Sequence, residues 1–312
     1  MTGLEQQVLQ GNKGISMKKI IAISLLLFIG LISVYAGIRV DSLTVNGEQV
    51  VSKGKTTDAN TGEISTNAII LMPGGVEMVT RTINVTTNDS IQAAINSIGK
   101  YIHENVTVTV KLGSGIHDVT NSIVVKGFYG GGQLQMIATN VVSVNMATNQ
   151  TTTIRMQNIS SKGSAYPVFS YGQNNNARLV LSSIKFEVTG ESDNGPRIIM
   201  GHTSFRGTAY LSVNFCYFKG TTTAAFTAIA IDMYYNDATV TGCAFENIRV
   251  AISAKNLARI FISGSGSVGT PPFSSLDATR GFIQCGDNYT GAGITNVSQG
   301  GLFIKSAGAI LP

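Results

Sequence analysis

Residues 238 to 248 read ATVTGCAFENI, and the decisive question is why a thiol, Cys243, precedes Phe245 by two residues in so polar a stretch. Two other stretches repeat the pattern: LVLSSIKF (179–186) and LSVNFCYF (211–218) share with ATVTGCAF (238–245) the frame apolar, any, apolar, any, any, apolar, any, Phe. IFISGSGS (260–267) keeps the frame with smaller residues, IRMQNISS (154–161) fits except at its last position, and LQMIATNV (134–141) fits loosely. The frame therefore ends at residues 141, 161, 186, 218, 245 and 267, spaced by 20 to 32 residues, the size of one turn of a solenoid. A coil of that length cannot bury its own apolar side. It stacks on its neighbours at the strand spacing of about 4.8 Å.

In-register stacking predicts four inward ladders: Leu179, Leu211 and Ala238; Leu181, Val213 and Val240; Ile184, Cys216 and Cys243; Phe186, Phe218 and Phe245. Cys243 is then a small apolar residue inside the solenoid, as free cysteine often is. A Cys216–Cys243 disulfide is the rival reading, disfavoured because parallel ladder vectors aim the sulfurs poorly at one another. No His or Cys lies at ligand spacing, so neither metal nor cofactor is expected.

Composition agrees with this reading. Only 12% of the 312 residues are charged, there are 35 glycines and no tryptophan, and Ser, Thr and Asn fill the space between short apolar residues. Such a chain favours many short strands over long amphipathic helices. The formal net charge of +5 is mild, and no Lys/Arg cluster supports nucleic-acid binding. Three cysteines cannot all pair internally, and a chain this long needs no staples.

Before the solenoid, the segment beginning at Met17 places Lys18 and Lys19 ahead of an apolar run from Ile20 to Tyr35, ending Val34-Tyr35-Ala36. That is the pattern of a secretory signal over 17–36, cleaved after Ala36; an uncleaved membrane anchor is the alternative. Residues 1–16 do not belong in front of a signal and read as a conceptual translation of untranslated leader DNA, with Met17 the true start and Lys13-Gly14 encodable as a purine-rich ribosome-binding site. The region 37–85 reads as strands, with a hairpin at Asn46-Gly47. Residues 88–102 read as the one clear helix, Asp89 and Gln92 offering a capping box, placed to cover the open end of a solenoid over 86–270. From 271 the frame dissolves into a segment suited to capping or oligomerisation.

The stretches SIQAAINSI, NVTVTVKLGSGIHDV and IVVKGFYGGGQLQM resemble the start of right-handed parallel β-helices of the pectate-lyase-like class, and most of all those of bacteriophage and prophage tail proteins. The resemblance implies an all-β, right-handed parallel β-helix with an N-terminal capping helix, and allows a homotrimer. It implies little about activity, because that architecture serves lyases, hydrolases, adhesins and spikes alike. The paired-aspartate calcium motif of pectate lyases is missing, as are the Asn-Thr-Asp, Asp-Asp and Gly-His-Gly motifs of polygalacturonases. Gly130-Gly131-Gly132 lacks the following Gly-Lys-Ser/Thr of a phosphate loop and reads as a turn.

Candidate chemistry gathers on the two longest coils. Their extra residues follow Phe186 and Phe218, and the loops 187–197 and 219–227 are expected to stand side by side on one flank. Glu191, Asp193 and Arg197 lie on the first loop, with His202, Arg206, Asp232, Tyr234 and Tyr235 nearby in the coil frame. Tyrosine faces and charged hydrogen-bonding groups on a rigid scaffold suit a glycan. The bland alternative is an ordinary solvated loop. Glu187, Lys219 and Glu246 read as an external ladder of alternating sign, and His103 and His117 as surface or turn positions. The leading expectation is an exported, non-catalytic protein that binds a polysaccharide or cell-surface glycan, secreted or at the surface, with a virion tail as the other location. A polysaccharide lyase or glycoside hydrolase using Glu191, Asp193 or Asp232 is the second reading, a structural spike the third. Ribosome profiling is expected to place initiation at Met17; initiation at Met1 overturns the leader reading.

Overall fold

The computed structural model describes residues 42–45, 48–57, 64–71, 75–157, 167–172, 177–189, 197–202, 210–220, 228–268, 275–286, 294–305 and 310–311. The expected leader and signal lie outside them. Two compact units divide the chain, Met1–Met72 and Pro73–Pro312. The first contains an antiparallel sheet of Ser42–Val45, Glu48–Thr57 and Ile64–Leu71, in which Val45 pairs with Glu48 around the expected hairpin turn.

The second unit is a right-handed parallel β-helix. Each full coil contributes one strand to each of three sheets in turn, so strands adjacent in a sheet are one coil apart in sequence. The first coil supplies Thr107–Leu112, Gly115–Asp118 and Ile123–Lys126; the fifth supplies Asp237–Thr241, Ala244–Glu246 and Val250–Lys255. Register follows the frame: Leu179 pairs with Leu211 and Leu211 with Ala238 in the first sheet, and Phe186 with Phe218 and Phe218 with Phe245 in the second. The three phenylalanine rings stack at 5.4 Å between successive centroids, tilted by 8° and 13°. Cys216, Cys243 and Cys285 are buried free thiols.

Four sequence expectations need correction, the last of them the helix. LQMIATNV and IRMQNISS are not successive coils but one: Leu134 and Met136 pair with Leu179 and Leu181, whereas Ile154 pairs with Phe186 and so occupies the phenylalanine ladder. Residues 139–151 are an insertion between them. His117 pairs with Ile154 in that same ladder and is buried, its Nε2 3.0 Å from the Gly113 carbonyl, not at a surface position. The boundaries also move. Arg81–Val85 joins the first sheet beside Thr107–Leu112, and coils continue beyond 270 through Ser275–Thr279, Phe282–Cys285, Ile294–Ser298 and Leu302–Lys305. The frame was anchored on phenylalanine, and the later coils keep the apolar register without that residue.

The helix, α1, spans only Ile91–Asn96; Ser90, not Asp89, is its N-cap, with its Oγ accepting from the Ala93 N–H. Asp89 instead accepts from the Thr86 N–H, and Gln92 serves the solenoid end. Its Nε2 donates to the Val124 carbonyl at 3.1 Å while its Oε1 accepts the Val124 N–H at 2.7 Å. A side-chain amide thus completes the edge of the third sheet as a further strand would. Ile91, Ile95, Ile98 and Ile102 are all buried, but the last belongs to the short strand Tyr101–Ile102.

The corner between the first and second sheets has one residue per coil with positive φ: Ser183 (61°), Phe215 (52°), Gly242 (65°) and Gly264 (56°). This conformation aims each corner N–H at the next coil, as in Ser183 N–H to Asn214 O and Phe215 N–H to Thr241 O at 3.0 and 2.7 Å. Side chains are tolerated at the first two corners. Gly242 differs because a Cβ there would sit 2.5 Å from the Phe215 ring and 2.9 Å from Asn145. Asn145 belongs to the 139–151 insertion, a strap lying along this corner. It is tied down by Val142 N–H to Ser183 Oγ, Gln150 Nε2 to Phe215 O and Met146 N–H to Gly242 O, each at 2.9 Å.

Phe218 is the only one of the three stacked phenylalanines flanked by a phenylalanine on each side. Phe218→Ala is expected to cost about 4 kcal/mol. Phe245→Ala, next to Ser267 on its other side, is expected to cost less; equal losses in chemical denaturation would refute the stacking argument.

Candidate functional site

Outward positions of the third sheet bring three of the sequence candidates together. Met200, Asp232, Ser253 and Asp277 form one column, and His202, Tyr234, Lys255 and Thr279 the next. Arg197 Nε donates to Asp232 Oδ2 in a short bond, and the Lys255 ammonium lies 3.1 Å from Asp232 Oδ1 as an ion pair while donating to Asp232 Oδ2 at 3.5 Å. Lys255 also donates to the Tyr234 hydroxyl at 3.3 Å. Although it points outward, Asp232 is fully buried, with Arg197 and Lys255 side chains 18% and 21% exposed against it. Burial pulls the Lys255 pKa down, but the Asp232 carboxylate and Tyr234 outweigh it and hold the ammonium above the ordinary lysine value. Arg197 is raised in the same way, burial opposed by its bond to Asp232. Both Asp232 oxygens thus face cations, the arrangement of a charge anchor. Lys255 has no partner role in the sequence reading; only the register between coils puts it beside Tyr234.

Tyr235 turns away from this cluster. Its backbone has φ 62°, and it opens the corner between the third sheet and the first, where Asn256 (51°) and Leu257 (71°) turn the next coil and Arg280 (54°) the one after. Tyr235, Leu257 and Arg280 form one rim of a groove of about 910 Å³ that runs along the outer face of the first sheet. Its floor is the columns Asp237, Arg259, Phe282, Leu302 and Phe261, Gln284. Phe261 is 41% and Leu257 55% exposed. The Phe261 and Phe282 rings meet edge to face with centroids 6.1 Å apart. Arg259 grips Asp237 with both arms, Nε to Oδ1 at 2.9 Å and Nη2 to Oδ2 in a shorter bond. Sequence reasoning found Tyr235 alone of this group. Phe261 was legible: it stands at an outward position of the frame, between inward Ile260 and Ile262.

Glu191, Asp193 and Arg206 lie outside the described residues; His202 ends the strand Arg197–His202, in register with Tyr234. The expected alternating ladder is present and longer than read, with Asp118, Arg155, Glu187, Lys219 and Glu246 in successive coils of the second sheet. Ion pairs run along it at 2.7 Å for Arg155–Asp118 and 3.1 Å for Lys219–Glu246. Its members are partly to substantially exposed, so each pair contributes little.

The coils define the class: a right-handed parallel β-helix carrying an open groove lined by aromatic and arginine side chains. No family model matches the chain, and no curated protein matches it. Among solved structures, a crystal structure of the pectin methylesterase from Aspergillus niger is similar, with 11% sequence identity and a TM-score of 0.31 over 75% of this chain and 86% of that one. A likeness at that level carries no argument about chemistry.

Asp232→Asn would leave Arg197 and Lys255 facing each other without a counter-charge, at an expected cost of about 3 kcal/mol. Because the folded-state pKa of Lys255 is raised, its contribution is complete below the unfolded lysine value of about 10.4 and is lost as pH climbs through the folded value. Thermal melts above pH 10 should therefore fall more steeply for the wild type than for Lys255→Gln. Parallel curves would refute the anchor.

Proposed function

We propose that the protein is an exported glycan-binding β-helix that does not cleave what it binds, with the groove along the first sheet as its binding surface. The observation that carries this reading is the groove itself. Tyr235, Phe261 and Phe282 offer ring faces and edges beside hydrogen-bonding Gln284 and two arginines, on strands fixed by neighbours above and below. Sugar rings present apolar C–H faces to aromatic side chains and hydroxyls to polar ones, so a mixed, open, rigid groove suits them. Hydrolysis of a glycosidic bond calls for two positioned carboxyl groups. Among the described lining residues Asp237 is the one carboxylate, and Arg259 occupies both its oxygens. Asp232, the one acid of the lyase or hydrolase reading that lies among the described residues, already faces two cations. Export rests on the segment 17–36. Among the described residues no helix is long and apolar enough to cross a membrane.

Affinity electrophoresis of the purified protein through bacterial and plant polysaccharides, with assays for new reducing ends and unsaturated uronates, tests this reading. Retention by at least one glycan without products is expected, weakened about fivefold in Tyr235→Ala and in Phe261→Ala. Products on any substrate would overturn the non-catalytic reading, and failure of every glycan to retain the protein would leave the structural spike.

A further inference from the structure

We propose that Arg280 is the specificity-determining residue of this groove and that it selects glycans bearing an anionic substituent: a carboxylate, sulfate or phosphate. The inference rests on the glycan-binding reading and goes beyond it by naming what the groove discriminates.

The argument begins with charge. Among the described lining residues three are ionised: Asp237, Arg259 and Arg280. Asp237 and Arg259 cancel one another in a two-armed ion pair, so neither is open to a ligand without first breaking that pair. Arg280 forms no ion pair among the described residues, and its side chain is exposed at the rim. Among the described residues the groove therefore carries one uncompensated positive charge, located at a single guanidinium.

Placement strengthens the case. The Arg280 backbone is held from both sides, its carbonyl accepting the Leu257 N–H at 2.6 Å and its N–H donating to the Ser298 carbonyl at 3.2 Å. The side chain thus departs from a fixed point, which lowers the ordering cost of using it. Its neighbours along the rim and floor, Leu257, Gly281, Phe282 and Gly300, bring no competing acid and little competing hydrogen bonding. A planar guanidinium over such a surface can take two oxygens of an anion at once.

Geometry supplies the last step. Tyr235, Leu257 and Arg280 occupy the same corner in three successive coils, spaced by about 4.8 Å per rung. One pyranose unit advances an extended glycan by about one rung. A glycan laid along the solenoid axis with one ring at Tyr235 and Phe261 would present a nearby unit to Arg280, so the aromatic contacts take the sugar and the arginine reads its substituent.

The test compares binding of the purified full chain to dextran, pullulan and hydroxyethyl cellulose, and to carboxymethylated, sulfated and phosphorylated derivatives of each. At low salt the derivatives are expected to bind about fivefold tighter than their parent, an advantage that shrinks at 0.5 M salt as screening shortens the reach of the charge to about 4 Å. Arg280→Gln should abolish the advantage, read as the ratio of derivative to parent binding within the same variant, without lowering the melting temperature. Whichever of the three substituents gains most identifies the anion. A preference that survives Arg280→Gln would overturn the assignment to this residue, and equal binding of parents and derivatives would overturn anion selection while leaving glycan binding intact. Binding to none of the twelve would overturn both readings together.

Discussion

Each coil of this protein has backbone N–H and C=O groups that point along the solenoid axis and cannot be satisfied within the coil. They pair with the coil above and the coil below, and the register is fixed because a slip of one residue would turn the apolar side outward. From that constraint the interior follows. Like side chains meet like, which stacks Phe186, Phe218 and Phe245 face to face and puts Cys216 beside Cys243. Burial, with Cys216 as neighbour, pushes the Cys243 thiol pKa well up, so it behaves as a small apolar residue. The exterior follows too, since outward residues one coil apart become neighbours and alternate in charge along the second sheet.

A stacked structure has two ends, and bare ends invite pairing with another chain. At the N-terminal end Gln92 presents its amide to both backbone groups of Val124, and Arg81–Val85 adds a strand to the first sheet. At the other end Ile310–Leu311 turns back antiparallel on Leu302–Lys305. Corners solve a related problem. A left-handed residue lets the chain change direction while its N–H still reaches the next coil, and two of the three corners of a coil are used differently. One is covered by the strap 139–151, which pins it; the other carries Tyr235, Leu257 and Arg280 and forms the rim of the groove.

Charge is also divided by burial. On the second sheet the ladder from Asp118 to Glu246 is open to water and costs little to make or break. Arg155 holds the Asp118 carboxyl below its usual range, whereas burial, offset by Lys185 and reinforced by Glu187, lifts that of Glu246. On the third sheet Asp232 is enclosed, and removing it would strand two cations. One of the three acids that the sequence offered as catalytic candidates is therefore a structural anchor, and Asp232→Asn cannot separate chemistry from folding.

The frame around ATVTGCAF determined the solenoid, its inward ladders and the fate of the cysteines, because stacking converts sequence period directly into contact. The same logic misread Ile154, since a loop of any length can be inserted at a corner without changing the register on either side, and the period alone does not show where the strap begins. It also stopped the solenoid at 270, where the phenylalanine disappears but the pairing does not. Of the candidate residues, Arg197, Asp232 and Tyr234 do lie together and Tyr235 does line a groove. Yet Lys255, Phe282 and Arg280 joined them only in three dimensions. An outward residue acquires its neighbours from coils some twenty residues away and its burial from whatever crosses above it, and neither is written in the local pattern that names the inward ones.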